Sequence, residues 1–329
     1  MAFKAGDLVE VRSAAEILAT LDDNGCLDGM PFMPEMLQYC GRQFRIFKAG
    51  HKTCDSTWYG VGRRMKNIVF LENLRCDGVA HMGCEAECLT FWNTAWLTRP
   101  GKRKVNNVAS TRDEQWLQRT VHAAPVNGSP RFRCQATEHL RASKPIKSYD
   151  VWQYVEDITS GNASVREVVR AVFLKSIWRL RFLGVGWSVA TRLYDRLHRA
   201  IYGGPDPHVT GRIPEGKPTP DVQLALRAGE RVYVKSLEEI TATLNTRNRN
   251  KGLAFNPEMA PFCGGEHQVH RRVTRIVDEK TGELITMKSP CITLENVYCE
   301  ARYHPDALLC PRRIPPYFRE AWLTRGKSQ

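Results

Sequence analysis

The chain has 329 residues, of which 42% are hydrophobic and 25% charged, and this ordinary balance excludes a disordered or collagen-like protein. Its first seven residues lack the apolar segment of a signal peptide, and no stretch reaches the roughly 18 apolar residues of a membrane span. We therefore expect a cytoplasmic protein of two or three domains without a transmembrane segment. The formal net charge of +13 predicts a protein partner or an anionic ligand, with nucleic acid and a membrane surface among the alternatives.

An internal repeat spans most of the chain. A shift of 223 positions places Gly6 on Gly229 and keeps the two copies in register, without a gap, as far as His81 and His304. Identical pairs between these limits include Phe32 and Phe255, Glu35 and Glu258, Cys40 and Cys263, Asn73 and Asn296, and Cys76 and Cys299. After a local change of length the register resumes, and the segment 95–99 recurs as 321–325.

A repeat of this length indicates a duplicated domain, because the units of solenoid proteins have a period of only about 20 to 50 residues. The predicted organisation is a first β repeat over 1–99, a middle region over 100–222 and a second β repeat over 223–329. The positions that both copies keep are those that the fold or its site requires most.

Each copy opens with the same local elements. The alternating apolar residues of 8–11 and 231–234 predict a half-buried strand. Ser13 with Glu16, and Ser236 with Glu239, form capping boxes that predict a helix start after each strand. A proline-bearing turn follows in each copy and leads to a cysteine, and these cysteines are Cys40 and Cys263.

The residue pattern in the rest of each copy predicts β-strands. The segment 43–47 and its counterpart 268–273 are strand-like, and the turn 278–282 predicts a hairpin that leads into 283–287. Both copies end on a conserved tryptophan, Trp96 and Trp322, which we interpret as an aromatic plug of the core. The opening strand, the twisted meander and the closing aromatic strand resemble an SH3-like small barrel. The predicted fold class is α+β, with two SH3-like domains flanking a helical middle domain.

The middle region changes character along its length. A basic connection over 101–107 predicts little regular structure. A third capping box, Ser164 with Glu167, begins a helical pattern that Gly184 and Gly186 interrupt, which indicates a helical hairpin or a kinked helix. The positively charged side chains of this helix either face water on an exposed surface or contact an anionic membrane. The proline-rich segment 203–220 reads as a linker.

Cysteine and histidine cluster near the end of the first copy. The spacing Cys76-x4-His81-x2-Cys84-x3-Cys88 brings four soft donors into thirteen residues, which suits a cation. With eleven cysteines and no export signal, thiolate ligation explains the cysteine content better than a disulfide framework. We prefer zinc as the metal, and an iron–sulfur cluster is the alternative.

The repeat extends the predicted metal site to both copies. The preferred ligand set of the first copy is Cys40, Cys76, Cys84 and Cys88, with His81 as an alternate. The preferred ligand set of the second copy is Cys263, Cys291, Cys299 and Cys310, with His304 as an alternate. Cys84 is the ligand most in question, because Ala307 stands at its place in the second copy.

Other polar residues have less specific interpretations. Cys54 and Cys134 remain outside both ligand sets and read as buried structural thiols. Glu35 and Glu258 are interpreted as acceptors of backbone or ligand hydrogen bonds, with a catalytic acid as the alternative. The arginines near His270 and Arg312, with tyrosines between them, are typical of a nucleic-acid surface or of a solvated face.

The leading hypothesis is a tandem metal-binding protein with one thiolate-rich site in each repeat, acting through binding or as an accessory to another protein. The first alternative is an iron–sulfur protein that transfers electrons. The second alternative is a zinc-stabilised protein that binds nucleic acid. No phosphate-binding loop, metalloprotease motif or nucleophile elbow is present in the sequence, so a reaction is not predicted.

Overall fold

The computed structural model describes residues 3–56, 61–101, 112–126, 128–147, 149–180, 187–204, 206–207, 209–304 and 306–326. The chain divides into two compact units. The first unit comprises Met1–Val168, Arg275–Thr286 and Asp306–Arg313, and the second comprises Val169–Thr274, Met287–Pro305 and Ile314–Gln329. Two short segments of the second repeat therefore belong to the first unit.

The fold is mixed α+β. The strands that lie before residue 169 are β1 Leu8–Val11, β2 Cys26–Leu27, β3 Met30–Pro31, β4 Gln43–Ala49, β5 Lys52–Cys54, β6 Gly62–Arg64, β7 Ile68–Arg75, β8 Leu89–Asn93, β9 Leu97–Thr98, β10 His122–Val126, β11 Ser129–Phe132 and β12 Lys144–Pro145. The later strands are β13 Arg231–Val234, β14 Arg249–Asn250, β15 Leu253–Ala254, β16 Glu266–Val277, β17 Leu284–Leu294 and β18 Leu323–Arg325.

The two longest helices of the described chain, Val165–Leu180 and Trp187–Tyr202, lie in the middle region. The α-helices are α1 Ala14–Leu18, α2 Glu114–Thr120, α3 Gln135–Glu138, α4 Trp152–Thr159, α5 Val165–Leu180, α6 Trp187–Tyr202 and α7 Leu237–Ala242. Short 3-10 helices lie at Pro34–Tyr39, Val79–His81, Thr94–Trp96, Pro257–Phe262 and Glu320–Trp322. Within the described residues, no helix is long and apolar enough to span a membrane.

The duplication predicted from the sequence reappears in the sheets. One sheet has the strand order β8-β7-β4-β1-β9, and the other has the order β17-β16-β13-β18. The last four strands of each order correspond one to one between the repeats. In both copies the opening strand lies between a long antiparallel strand and the closing strand, so each sheet curves as half of a barrel.

The three capping boxes predicted from the sequence are formed in the structure. In the first repeat the Ser13 side chain accepts the backbone N–H of Glu16, whose carboxylate accepts the backbone N–H of Ser13. Ser236 and Glu239 make the same reciprocal bonds at the start of α7. The third capping box, at Ser164, is also formed. Each box satisfies backbone donors that the first helical turn leaves without partners.

The two tryptophans that end the repeats close the cores, as predicted. Trp96 and Trp322 are fully buried. Trp96 meets Phe32 edge to face with ring centroids 5.2 Å apart, and Trp322 meets Phe255 in the same way at 5.2 Å. Because both indole rings are fully buried, neither tryptophan offers a ligand-stacking surface.

The turn predicted at 278–282 is formed. The Asp278 carboxylate accepts the backbone N–H groups of Lys280 and Thr281, and the Gly282 N–H donates to the Asp278 carbonyl at 2.8 Å. This turn joins β16 to β17, which are neighbours in the sheet. The prediction of a hairpin is therefore confirmed.

The middle region carries helices α2 to α6 within its described parts. Its residues fall on both sides of the division at Val168, so an independent middle domain stays a prediction. The basic stretch 102–107 and the glycines Gly184 and Gly186 lie outside the described residues.

Candidate metal centre

Glu35 lies on the short 3-10 helix Pro34–Tyr39, which is anchored in the core of the first unit. Pro34 occupies the first helical position, where its fixed φ and missing N–H suit a helix start. Met36, the next residue after Glu35, is fully buried in the core of the unit. The anchored backbone on either side therefore fixes where the Glu35 carboxylate lies.

Cys76 and His81 lie on a tight loop that follows β7. The backbone N–H of Cys76 donates to the carbonyl of Cys88 at 2.9 Å, which closes the base of the loop. Gly78 has φ of +74°, and a side chain there would place its Cβ 1.8 Å from the carbonyl oxygen of Cys84. Only glycine allows this approach, so the loop curls back and presents His81 to Cys76.

Glu35, Cys76 and His81 form the one trio of metal-ligating side chains found in the described part of the chain. Their ligand atoms all lie within 4.8 Å of one another. The Sγ atom of Cys76 is 3.8 Å from Nδ1 of His81. The His81 ring stands edge to face with Phe132, at a centroid distance of 5.9 Å, which fixes the ring orientation.

The polar atoms of this trio are buried and poorly satisfied. Neither carboxylate oxygen of Glu35 has a hydrogen-bond partner of acceptable geometry, and Nε2 of His81 also has none. Buried polar atoms without partners are costly, and a native structure needs a reason to keep them. A carboxylate and an imidazole with unpartnered atoms, converging with a thiol, are the arrangement that a cation would satisfy.

The pKa shifts of the three side chains also indicate a site that a cation would stabilise. Burial raises the pKa of the Glu35 carboxyl, and burial together with Glu35 raises the pKa of the Cys76 thiol well above its ordinary value. Burial also lowers the pKa of His81 to about 4. Without a cation the site therefore favours a protonated thiol and a neutral imidazole, which is the opposite of an activated thiolate–imidazolium pair.

The other predicted ligands of the first repeat do not converge on the trio. Cys84 is buried, and its Sγ accepts the backbone N–H of Val277 at 3.3 Å. Burial raises the pKa of Cys40 to about 11 and that of Cys88 to about 12. Cys88 still lies near enough to Cys76 to raise the pKa of the Cys76 thiol. The four-cysteine ligand set of this repeat remains a prediction. Cys88 is the member of that set whose thiol affects the pKa of Cys76.

Two residues near the centre escaped the sequence interpretation. The predicted ligand set does not include Glu35, although its identity with Glu258 across the repeat is a usable signal. Cys134 was placed among structural thiols, and it is indeed buried in the core that contains Cys84. The Cys134 thiol raises the pKa of Cys76, so it lies in the surroundings of the trio. Nothing in the spacing of Cys134 pointed to that neighbourhood.

The second repeat keeps the residue types but arranges them differently. The Glu258 carboxylate accepts the backbone N–H groups of Arg302 and Tyr303 at 3.0 and 2.6 Å. Glu258 therefore accepts backbone hydrogen bonds, as predicted, and it holds the segment that carries Cys299 and His304. Across the residues that can be described, these three side chains do not form a compact trio like that of the first repeat.

The other predicted ligands of the second repeat have contacts of their own, and their ligand set stays a prediction. Cys263 donates to the carbonyl of Met259 at 3.9 Å. Cys291 is fully buried, and its Sγ lies 3.4 Å from Nη1 of Arg319. Cys310 belongs to the first compact unit, whereas Cys263, Cys291, Cys299 and His304 belong to the second.

Several basic residues of the second repeat form ion pairs or ring contacts within the protein. Arg312 is 3% exposed and pairs with Glu279 at 2.7 Å. Arg272 pairs with Glu320, and the Arg313 guanidinium lies 5.2 Å from the ring centre of Phe47. These contacts reduce the number of cations available to a phosphate backbone. Nucleic-acid binding stays a prediction without a defined surface.

No family model matches the chain, and neither a curated protein nor a solved structure is similar to it. Relatives therefore supply no ligand, substrate or reaction. The function has to follow from the residues of the site, and the trio is the arrangement with the clearest chemistry.

Proposed function

We propose that this chain is a metal-binding protein whose first repeat holds a divalent cation, Zn²⁺, through Glu35, Cys76 and His81. One observation carries the proposal: three metal-ligating groups converge within 4.8 Å, while the Glu35 oxygens and one His81 nitrogen have no other partners. The cation would supply the positive charge that a buried carboxylate and thiolate need.

The spacing of the donors supports zinc. Standard Zn–S and Zn–N distances in a tetrahedron separate thiolate and imidazole by about 3.6 Å. The observed separation between Cys76 Sγ and His81 Nδ1 is 3.8 Å, so only a small adjustment would seat the ion. Cys, His and Glu are all ordinary zinc ligands, whereas an iron–sulfur cluster requires about four thiolates.

Three protein ligands leave a fourth position. Structural zinc sites close this position with a protein ligand, and open sites accept water or another molecule. Cys88 is our candidate to close the site, because it is a predicted ligand whose thiol raises the pKa of the Cys76 thiol. A closed site would stabilise the first repeat, and an open one would give the protein a binding function as an accessory to another protein.

Several finer features belong to the same proposal. The curved sheets and their equivalent strand orders support two SH3-like repeats. The eleven free thiols support a cytoplasmic protein, because the cytoplasm keeps thiols reduced. A second metal site in the other repeat would need Cys299 and His304 with a ligand other than Glu258, whose carboxylate is already bonded.

The direct test is metal analysis of anaerobically purified protein by native mass spectrometry and elemental analysis. We expect zinc bound to the wild type and loss of one zinc in each of Glu35→Gln, Cys76→Ser and His81→Ala. Cys26→Ser is the matched control, because Cys26 is a buried thiol outside the trio whose Sγ donates to the local Asn24 carbonyl at 3.5 Å.

Two results would overturn the proposal. Wild-type protein that carries no metal, with Cys76→Ser as stable as wild type, would remove the metal site altogether. Iron and acid-labile sulfide with a visible charge-transfer band would instead establish the electron-transfer alternative. Loss of zinc in Cys88→Ser as well would identify Cys88 as the fourth ligand.

A further inference from the structure

Two thiols outside the candidate metal centre lie against each other. Cys54 ends β5, and its thiol is hydrogen-bonded to that of Cys310. Cys310 lies in the segment Asp306–Arg313, which is part of the same compact unit as Cys54 although it comes from the second repeat. Neither cysteine is in a disulfide.

The segment Asp306–Arg313 approaches this part of the sheet closely. Cys54 pairs with Gly62 across the antiparallel strands β5 and β6. A Cβ atom at Gly62 would lie only 2.1 Å from the carbonyl oxygen of Asp306. The missing side chain at Gly62 therefore makes room for the segment directly beside Cys54.

Arg312 fixes the other end of the segment. Its guanidinium is buried and donates to the Cys54 carbonyl at 3.3 Å, to Ser56 Oγ at 3.3 Å and to Glu279 Oε1 at 2.7 Å. A buried charge with this many partners cannot move without losing several hydrogen bonds. Asp306 and Arg312 thus bracket Cys310 and hold its thiol beside Cys54.

We propose that Cys54 and Cys310 are a redox-active dithiol that forms a reversible disulfide with a low-molecular-weight disulfide as oxidant. The product is neutral, which suits a buried position better than a thiolate does. It would link β5 covalently to the segment Asp306–Arg313. Neither cysteine is a member of the Glu35 trio, so the proposal is independent of the metal site.

The exchange balances as two successive displacements. The thiolate of half-buried Cys54 attacks one sulfur of the small disulfide, forms a mixed disulfide and releases one small thiol. The Cys310 thiolate then attacks Sγ of Cys54 and releases the second small thiol. The two cysteines lose two protons and two electrons, which the small disulfide takes up as it becomes two thiols.

The test uses full-length protein as purified, equilibrated in buffers of reduced and oxidised glutathione. Free thiols are trapped by alkylation, and peptides are mapped by mass spectrometry. We expect a Cys54–Cys310 cross-linked peptide that accumulates as the oxidised fraction rises and disappears with dithiothreitol. The cross-linked protein should also show a higher Tm, because the link closes a very long loop.

Matched variants separate this proposal from random oxidation. Cys54→Ser and Cys310→Ser should each abolish the cross-link, whereas Cys26→Ser should leave it unchanged. In a denaturing concentration of urea the preference for this pair should vanish, since only the folded chain brings the two thiols together.

Three outcomes would overturn the proposal. The first is a native protein that stays fully reduced at Cys54 and Cys310 under oxidised glutathione. The second is cross-linking of Cys54 to another cysteine at equal yield. The third is loss of one bound zinc in Cys310→Ser, which would assign Cys310 to a metal site.

Discussion

The Sγ atom of Cys76 lies 3.8 Å from Nδ1 of His81, held there by a loop that turns at Gly78. This distance is close to the separation of a thiolate and an imidazole that share one tetrahedral ion. Glu35, from a different part of the chain, completes the trio. Two groups of the candidate metal centre therefore come from one short loop, and the third comes from a distant segment.

The Glu35 carboxylate should destabilise the metal-free protein while it stabilises the metal-bound form. Replacing it by methionine in Glu35→Met removes two buried oxygens that have no hydrogen-bond partner. We expect this variant to be more stable than metal-free wild type by about 1 kcal/mol or more, and to gain nothing from added zinc. Thermal unfolding with chelator and with zinc measures both effects.

The register counterpart provides the control for this prediction. Glu258→Met should destabilise the protein in both conditions, because the Glu258 carboxylate accepts two backbone N–H groups. If Glu35→Met and Glu258→Met behave alike, the contrast drawn between the two repeats is wrong.

The buried indole groups depend on one threonine in each repeat. Trp96 Nε1 donates to Thr20 Oγ1 at 3.2 Å, and Trp322 Nε1 donates to Thr243 Oγ1 at 3.0 Å. Thr20→Val and Thr243→Val should each cost roughly 1–3 kcal/mol, because a buried indole N–H loses its acceptor. Urea unfolding curves measure the loss.

Thr241→Val is the control for the threonine pair, since the Thr241 hydroxyl bonds only the local carbonyl of Glu238 on an exposed helix face. Its free energy of unfolding should stay within about 0.5 kcal/mol of wild type. An equal effect of all three substitutions would show that the indole bonds are not responsible.

Glu320 should make the second unit sensitive to acid. Burial alone would raise the pKa of Glu320, but the backbone N–H groups of Leu226 and Leu224, together with Arg272, lower it below its ordinary value of 4.5. A carboxyl with a lowered folded pKa contributes stability that is fully present above the unfolded pKa. That contribution is lost as pH falls through the folded pKa.

We therefore expect the unfolding free energy to fall on acidification below about pH 4.5, and more steeply in wild type than in Glu320→Gln. The variant should also be less stable at neutral pH by roughly 1–3 kcal/mol, because an amide has one acceptor oxygen for several donors. Urea unfolding at a series of pH values checks both. Parallel pH profiles for the two proteins would contradict this role of Glu320.

A buried ion pair in the first unit should show strong coupling. Lys52 Nζ lies 2.5 Å from Asp157 Oδ2, and both side chains are almost fully buried. His51 Nε2 lies 3.1 Å from the other oxygen of Asp157. Asp157→Asn should cost roughly 3–5 kcal/mol, because it leaves the Lys52 ammonium buried without its counter-charge.

The double variant Lys52→Met with Asp157→Leu should recover most of that loss, since an apolar pair needs no counter-charge. A double-mutant cycle from urea unfolding gives the coupling energy. Simple addition of the two single effects would mean that the ion pair contributes no coupling.

The duplication and many elements of each repeat could be predicted from residue patterns alone. Serine and glutamate three positions apart set the helix starts at Ser13 and Ser236, since the capping bonds are local. Alternating apolar residues set the opening strands, and the kept tryptophans marked the cores. The Cys76–His81 half of the candidate site was also within reach, because both ligands lie on one short loop.

The contacts between distant groups could not be predicted from these patterns, because they depend on the packing of the folded chain. Glu35 joins Cys76 because its helix packs on the core, and Cys54 meets Cys310 because Gly62 leaves room for the chain at Asp306. Identical residues also diverged: Glu258 bonds backbone N–H groups, whereas the Glu35 oxygens have none. Local patterns act over a few residues, whereas these contacts depend on how separate segments pack.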